Sequence, residues 1–171
     1  MEKIEKVVSD SGPLIHLAQI ASFDVLGVVK TILISQAVFN EVCSTHLPGS
    51  VEVKNSKIIK VRAIEPQFKD FAKIVSEQYS VGLGEAESIA LAKQENIKLL
   101  LTDDLEARII AKRFGLEPHG TIGLVLRAFK EGFVKKDAAL QLVDDLRTKS
   151  NLFITSDLLR YIINEIEKFR K

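Results

Sequence analysis

Tryptophan is absent from the 171-residue chain, which has one cysteine and one methionine, and aromatic residues make up only 6% of it. The lone Cys43 cannot close an internal disulfide or build a cysteine-based zinc site. The histidines, His16, His46 and His119, are scattered and lack the short spacing of a zinc-binding motif. A reducing, cytoplasmic setting is the expectation from that usage. Neither sign of charge is in excess: 24 Lys+Arg stand against 23 Asp+Glu, giving a net charge of +1. The global basic footprint that advertises nucleic-acid binding is therefore missing, although a local patch can do the same work. No apolar run approaches the ~20 residues of a membrane span, and the first residues hold no apolar signal core, so no membrane association is expected.

What the chain does have is aliphatic bulk. Hydrophobic residues form 46% of it, enough for a sizeable core of Ile, Leu, Val, Ala and Phe. A single domain over 1–171 is expected, with 135–171 as its C-terminal helical extension. Short apolar runs at 4–9, 31–34, 58–64, 98–102 and 116–119 read as strands, and segments of helical period lie between them. Pro13 suits a helix start, while Gly115 and Gly132 suit helix ends. Ser22 and Ser35 are expected helix caps, 46–54 reads as a loop, and helices are expected at 135–149 and 155–169. Alternating strands and helices imply right-handed crossovers. The expected fold is a three-layer α/β/α sandwich around a central, mostly parallel sheet of four to five strands.

In such a sheet, ligands bind in the crevice at the carboxyl ends of the strands. The first strand ends in Asp10 and the fourth in Thr102-Asp103-Asp104, while Gly82-Leu83-Gly84-Glu85 opens a helix between them. Each acid has a plain structural use. Asp10 can cap a helix, Glu85 suits a helix N-terminus, and Glu41 can face solvent from mid-helix. Glu87 lies about 200° around the helix from Glu85, so one of that pair is expected on a solvated face. Of Asp103 and Asp104, one is expected to cap the next helix and the other to point into the crevice, with Thr102 able to orient a neighbouring carboxylate. Together, Asp10, Glu85 and Asp104 fall on one sheet edge with no sequence-adjacent Lys or Arg beside Asp10 or Glu85. Carboxylates gathered this way repel unless a cation joins them, and oxygen-only ligands suit Mg²⁺ or Mn²⁺.

The pattern Val7-Val8-Ser9-Asp10-Ser11-Gly12-Pro13, then Ala37-Val38-Phe39-Asn40-Glu41-Val42, then Gly82-Leu83-Gly84-Glu85-Ala86-Glu87, then Leu101-Thr102-Asp103-Asp104, resembles the PIN-domain superfamily. It is most similar to the prokaryotic branch related to the VapC toxins, and His119-Gly120-Thr121 fits the Gly-Thr turn of that branch. The resemblance implies a metal-dependent ribonuclease with Asp10, Glu41, Glu85 and Asp104 as its acidic quartet. Asp103 is the alternative to Asp104 as a ligand, and Ser11 and Thr102 would support the acids. It further implies Mg²⁺ or Mn²⁺ as cofactor, an antitoxin protein as possible partner, and a homodimer. Single-stranded RNA is the expected substrate, because an acid crevice needs a flexible backbone delivered into it. Glu85 stands where the wider superfamily commonly has Asp, and Gly12 where many relatives have Ser or Thr.

Three basic pairs, Lys112-Arg113, Arg127-Lys130 and Lys135-Lys136, are candidate RNA contacts, with ordinary solvated helix surface as the plainer use. The main rival function is a catalytically weak or silent binding module acting through dimerisation or a partner protein. The apolar stripe Leu158, Leu159, Ile162, Ile163 and Ile166 supports that rival, although packing on the chain's own sheet is its simpler use. A phosphotransferase with Asp10 as nucleophile fits less well, because Gly12 stands where a second Asp is usual. No Gly-x-Gly-x-x-Gly follows the first strand, which argues against a dinucleotide-binding enzyme.

Overall fold

The computed structural model describes residues 4–44 and 46–169. A five-stranded sheet of order β3-β2-β1-β4-β5 forms its centre, and every pairing in it is parallel. The strands are β1 (Ile4–Ser9), β2 (Val29–Ile34), β3 (Ile59–Val61), β4 (Leu99–Leu101) and β5 (Glu117–His119). Val8 is in register with Leu33 on one side and Leu100 on the other. Side chains alternate across a strand, so each one feeds both faces of the sheet. Val7, Ile32, Ile34 and Leu101 enter one buried cluster, and Val8, Leu33 and Leu100 enter the other. This two-sided burial is why the strands read as continuous apolar runs.

One face is covered by α4 (Pro66–Tyr79), α5 (Leu83–Gln94) and α6 (Leu105–Arg113), through Ala72, Val75, Ile89, Leu91 and Ile110. The opposite cluster holds α1 (Ser11–Gln19), a 3₁₀ turn (Phe23–Val28), α2 (Gln36–Ser44), α3 (Ser50–Asn55) and α7 (Thr121–Lys130). It also takes in α8 (Lys136–Lys149) and α9 (Ser156–Lys168). Complete burial of a Leu or Ile such as Leu14, Leu17, Ile32 or Leu124 stabilises the fold by about 1.5–3 kcal/mol each. Gly115 and Gly132 follow α6 and α7 with φ of 76° and 74°, left-handed geometry that glycine adopts without strain.

Several elements differ from their expected form. Residues 50–55 form α3, overlapping the 46–54 stretch read as a loop, because Val53 anchors a short helix against the core. The third strand is confined to Ile59–Val61, and the rest of 58–64 is outside it. Ser22 caps nothing: its hydroxyl donates to the Ile20 carbonyl, and the turn that follows is 3₁₀. Ser35 does cap α2, accepting from the Val38 N–H at 3.2 Å. Helix α5 begins at Leu83, with Gly82 at its N-cap, so Gly84 lies inside its first turn. The apolar stripe of α9 packs chiefly on α7 and α8, with Ile162 and Ile166 buried in the same cluster as one face of the sheet. No helix among the described residues is long and apolar enough to cross a membrane.

Candidate active site

Strand β1 pairs with β2 on one side and β4 on the other, so the chain departs from β1 in opposite directions. The crevice this opens lies past the carboxyl ends of β1 and β4, where Asp10 and the 102–104 segment stand. A backbone bond from the Asp10 N–H to the Leu101 carbonyl, at 2.8 Å, locks the two strand ends together. The cleft measures about 540 Å³ and is lined by Asp10, Glu85, Asp103 and Asp104, among others.

Asp10 occupies the N-cap position of α1 but makes no capping bond, so its helix-cap use is not realised. The residue is only 3% exposed. Its Oδ2 accepts from the Thr102 hydroxyl at 3.3 Å, and its Oδ1 is completely buried with no hydrogen-bond partner. Burial first, then the Glu85 carboxylate and more weakly Glu41, push its carboxyl up to about 7; the Ser11 backbone N–H and the Thr102 hydroxyl oppose the rise.

Glu41 projects from α2 at an exposed position, where its Oε1 accepts from the Ser11 hydroxyl at 2.8 Å. Gly84, in the first turn of α5, has room for no larger residue without adjustment. A Cβ there would stand 3.1 Å from Glu41 Oε2 and 3.6 Å from Asp10 Oδ1, so both carboxylates converge on the bare helix backbone. Glu85 folds back over the helix start, with its Oε2 against Gly82. Glu87 does not sit on a solvated face: its Oε2 accepts from the Ala37 N–H at 3.3 Å, in the first turn of α2. There it meets an orphan donor and the positive end of the helix dipole.

The neighbouring acids have different surroundings. Asp104 is exposed and caps α6, its Oδ1 accepting from the Ala107 N–H at 2.7 Å. Asp103 has both oxygens engaged. Its Oδ1 accepts from the Thr121 N–H at 2.6 Å, and its Oδ2 takes the Thr121 hydroxyl at 2.5 Å and pairs with His16 Nδ1 at 2.7 Å. This knot ties the β4 end to the start of α7 and to α1. His16 and Thr121 escaped sequence reasoning because their partner is distant in the chain, and only the Gly120-Thr121 turn hinted at the second.

The charged groups acting on Asp10 are the carboxylates of Glu85 and Glu41, and a buried carboxylate oxygen without a partner fits a hard divalent cation. Among the described residues, no group of three or more such side chains is already disposed around one point suited to an ion. The basic pairs are mostly engaged elsewhere. Arg127 pairs with Glu131 at 2.7 Å, Lys130 pairs with Glu165, and Arg113 lies over the Tyr79 ring.

The DUF3368 family model, described as a PIN domain, matches residues 6–168, and the chain belongs to this family. A nuclease-type fold is thereby established, and PIN domains typically use divalent metals. No individually curated protein matches the sequence at a significant level.

Proposed function

We propose that the chain is a divalent-cation-dependent endoribonuclease that cleaves single-stranded RNA and serves as the toxin of a toxin–antitoxin pair. One observation carries this reading. The buried Asp10, with an unpartnered oxygen, stands at a parallel-sheet switch point with two further carboxylates close enough to resist its ionisation. Nothing in a purely structural role requires that arrangement, and it costs stability when unfilled.

Asp10, Glu85 and Asp104 would hold Mg²⁺ or Mn²⁺, with Glu41 alongside. Asp104 is better suited than Asp103, since only one of its oxygens is occupied while both of Asp103's are. When bound, such an ion activates a water and offsets charge building on the scissile phosphate. The chain's own groups set the geometry. Thr102 orients Asp10 by donating to its Oδ2, and Ser11 fixes Glu41 by donating to its Oε1. Gly84 keeps the space between those carboxylates clear. The Asp103 knot holds the β4 end still while the strand is cut, so the acids need not reorganise during reaction.

A flexible single strand suits a narrow cleft, because a phosphate must be delivered to a recessed acid. In this reading the protein works in the cytoplasm as a homodimer and is checked by an antitoxin; the resemblance to the VapC branch supports those roles. A silent binding module is the second reading, favoured by exposed Leu83, Leu105 and Phe153, of which Leu105 and Phe153 line the acid cleft. Incubating the purified protein with a mixed RNA pool, with Mn²⁺ or with chelator, separates the two. Cleavage that needs the ion and is lost in Asp10→Asn supports the nuclease; equal cleavage by the variant refutes the site.

A further inference from the structure

A second cavity of about 490 Å³ adjoins the acid cleft. Arg108, Gly120, Ile122 and Leu158 line both, so the two form one continuous groove. The far cavity has apolar walls from α7 and α9, and His119 and the 56%-exposed Tyr161 also line it. Its other cations are neutralised locally, Arg127 by Glu131 and Lys130 by Glu165.

Arg108 differs from them. It is half-buried at the junction and forms no ion pair or hydrogen bond among the described residues. It pairs with neither Asp103 nor Asp104, although both acids line the same cleft. The junction is narrow at Gly120, where a Cβ would stand 2.9 Å from Asp103 Oδ1 and 3.5 Å from an Arg108 guanidinium nitrogen. An unpaired guanidinium beside an acid cleft can bind a bidentate oxyanion, and phosphate is the oxyanion that a nuclease cleft receives.

We propose that this groove is a nucleotide subsite, in which Arg108 grips the phosphate adjoining the scissile one and the far cavity takes the neighbouring base. The base would lie between the imidazole of His119 and the ring of Tyr161. Stacking on aromatic groups tolerates every base, so the subsite selects an unpaired strand more than a sequence. Burial, followed by the charge of Arg127, lowers the His119 pKa, which leaves its imidazole neutral at neutral pH and able to face a base. The assignment rests on the nuclease reading for the identity of the strand, but its test does not need cleavage.

The experiment is equilibrium binding of a fluorescent single-stranded RNA oligomer to the full chain, in chelator and again with Ca²⁺, across a salt series. Arg108→Gln is expected to weaken binding about tenfold or more and to lower the salt slope by about one. Arg108→Lys should recover the slope but only part of the affinity, since a point charge replaces a planar fork. Tyr161→Ala should weaken binding of the normal oligomer several-fold and leave binding of an abasic oligomer of equal length unchanged. Arg108→Gln binding within twofold of wild type with an unchanged slope overturns the subsite, even if cation-dependent cleavage is found. Failure of the wild type to bind any single strand also overturns it, whether or not a protein partner occupies the groove. Loss of binding in Arg108→Gln upholds the subsite even where no cleavage is seen.

Discussion

Replacing Asp10 with Asn should stabilise the metal-free protein at alkaline pH, which is unusual for a substitution of a buried polar residue. Burial, Glu85 and Glu41 raise the folded-state carboxyl from 3.8 to about 7. The folded chain therefore holds this proton over a pH range in which the unfolded chain has released it. Stability from this group is complete below about pH 4 and is lost as pH rises through about 7. A tenfold difference in acidity between folded and unfolded chain corresponds to about 1.4 kcal/mol, so the full loss at pH 8 is about 4 kcal/mol. Asparagine keeps the shape and cannot ionise, but its buried amide sacrifices ~1–2 kcal/mol if poorly paired. The variant should then match the wild type or fall slightly below it at pH 4 and exceed it by about 2–3 kcal/mol at pH 8. For a chain of this size that is a rise in Tm on the order of 10 °C. Urea titrations of both proteins in chelator, from pH 4 to 8, measure the difference. A difference that stays flat with pH, or that falls as pH rises, would mean that Asp10 is not held protonated by its surroundings.

Other substitutions probe the remaining supports. Ser11→Ala frees Glu41 from its 2.8 Å hydrogen bond and should lower cleavage about tenfold with less than ~1 kcal/mol change in urea stability. Gly84→Ala gains helix propensity of about 1 kcal/mol but wedges a methyl between Glu41 and Asp10. Calorimetry should therefore show near-neutral stability together with at least tenfold weaker Mn²⁺ binding. Thr121→Val removes the hydroxyl bond to Asp103 in a fully buried setting and should cost ~1–3 kcal/mol by denaturant titration. Thr155→Ala deletes the side-chain cap of α9, which accepts from the Leu158 N–H, and should cost about 1 kcal/mol in the same assay.

The elements legible in the sequence were those whose signal is local. Doubly buried strands show as apolar runs such as 99–101, helix ends show at Gly115 and Gly132, and the α/β alternation implies parallel pairing. The position of Asp10 and of the 102–104 segment at one sheet edge followed from those rules alone. Pairings set by the folded chain were not legible. Glu87 docks on the start of α2, 50 residues away, and His16 meets Asp103 across 87 residues, so neither interaction leaves a mark in local spacing. The short helix α3 was hidden because one buried Val53 anchors it within a stretch that otherwise has loop composition. Arg108 carried no signal either, since its interest lies in which partners the fold withholds from it.

If Asp10 and the carboxylates around it form a seat for a divalent cation, the metal-free protein must take one up from solution. Titrating Mn²⁺ into the chelator-treated protein at pH 8, while following the loss of the free-ion electron paramagnetic resonance signal, reads that uptake. Saturable binding is expected, collapsing in Asp10→Asn and weakening in Glu85→Gln. Equal Mn²⁺ uptake by the wild type and Asp10→Asn, or no saturable uptake by the wild type, would rule the cation seat out.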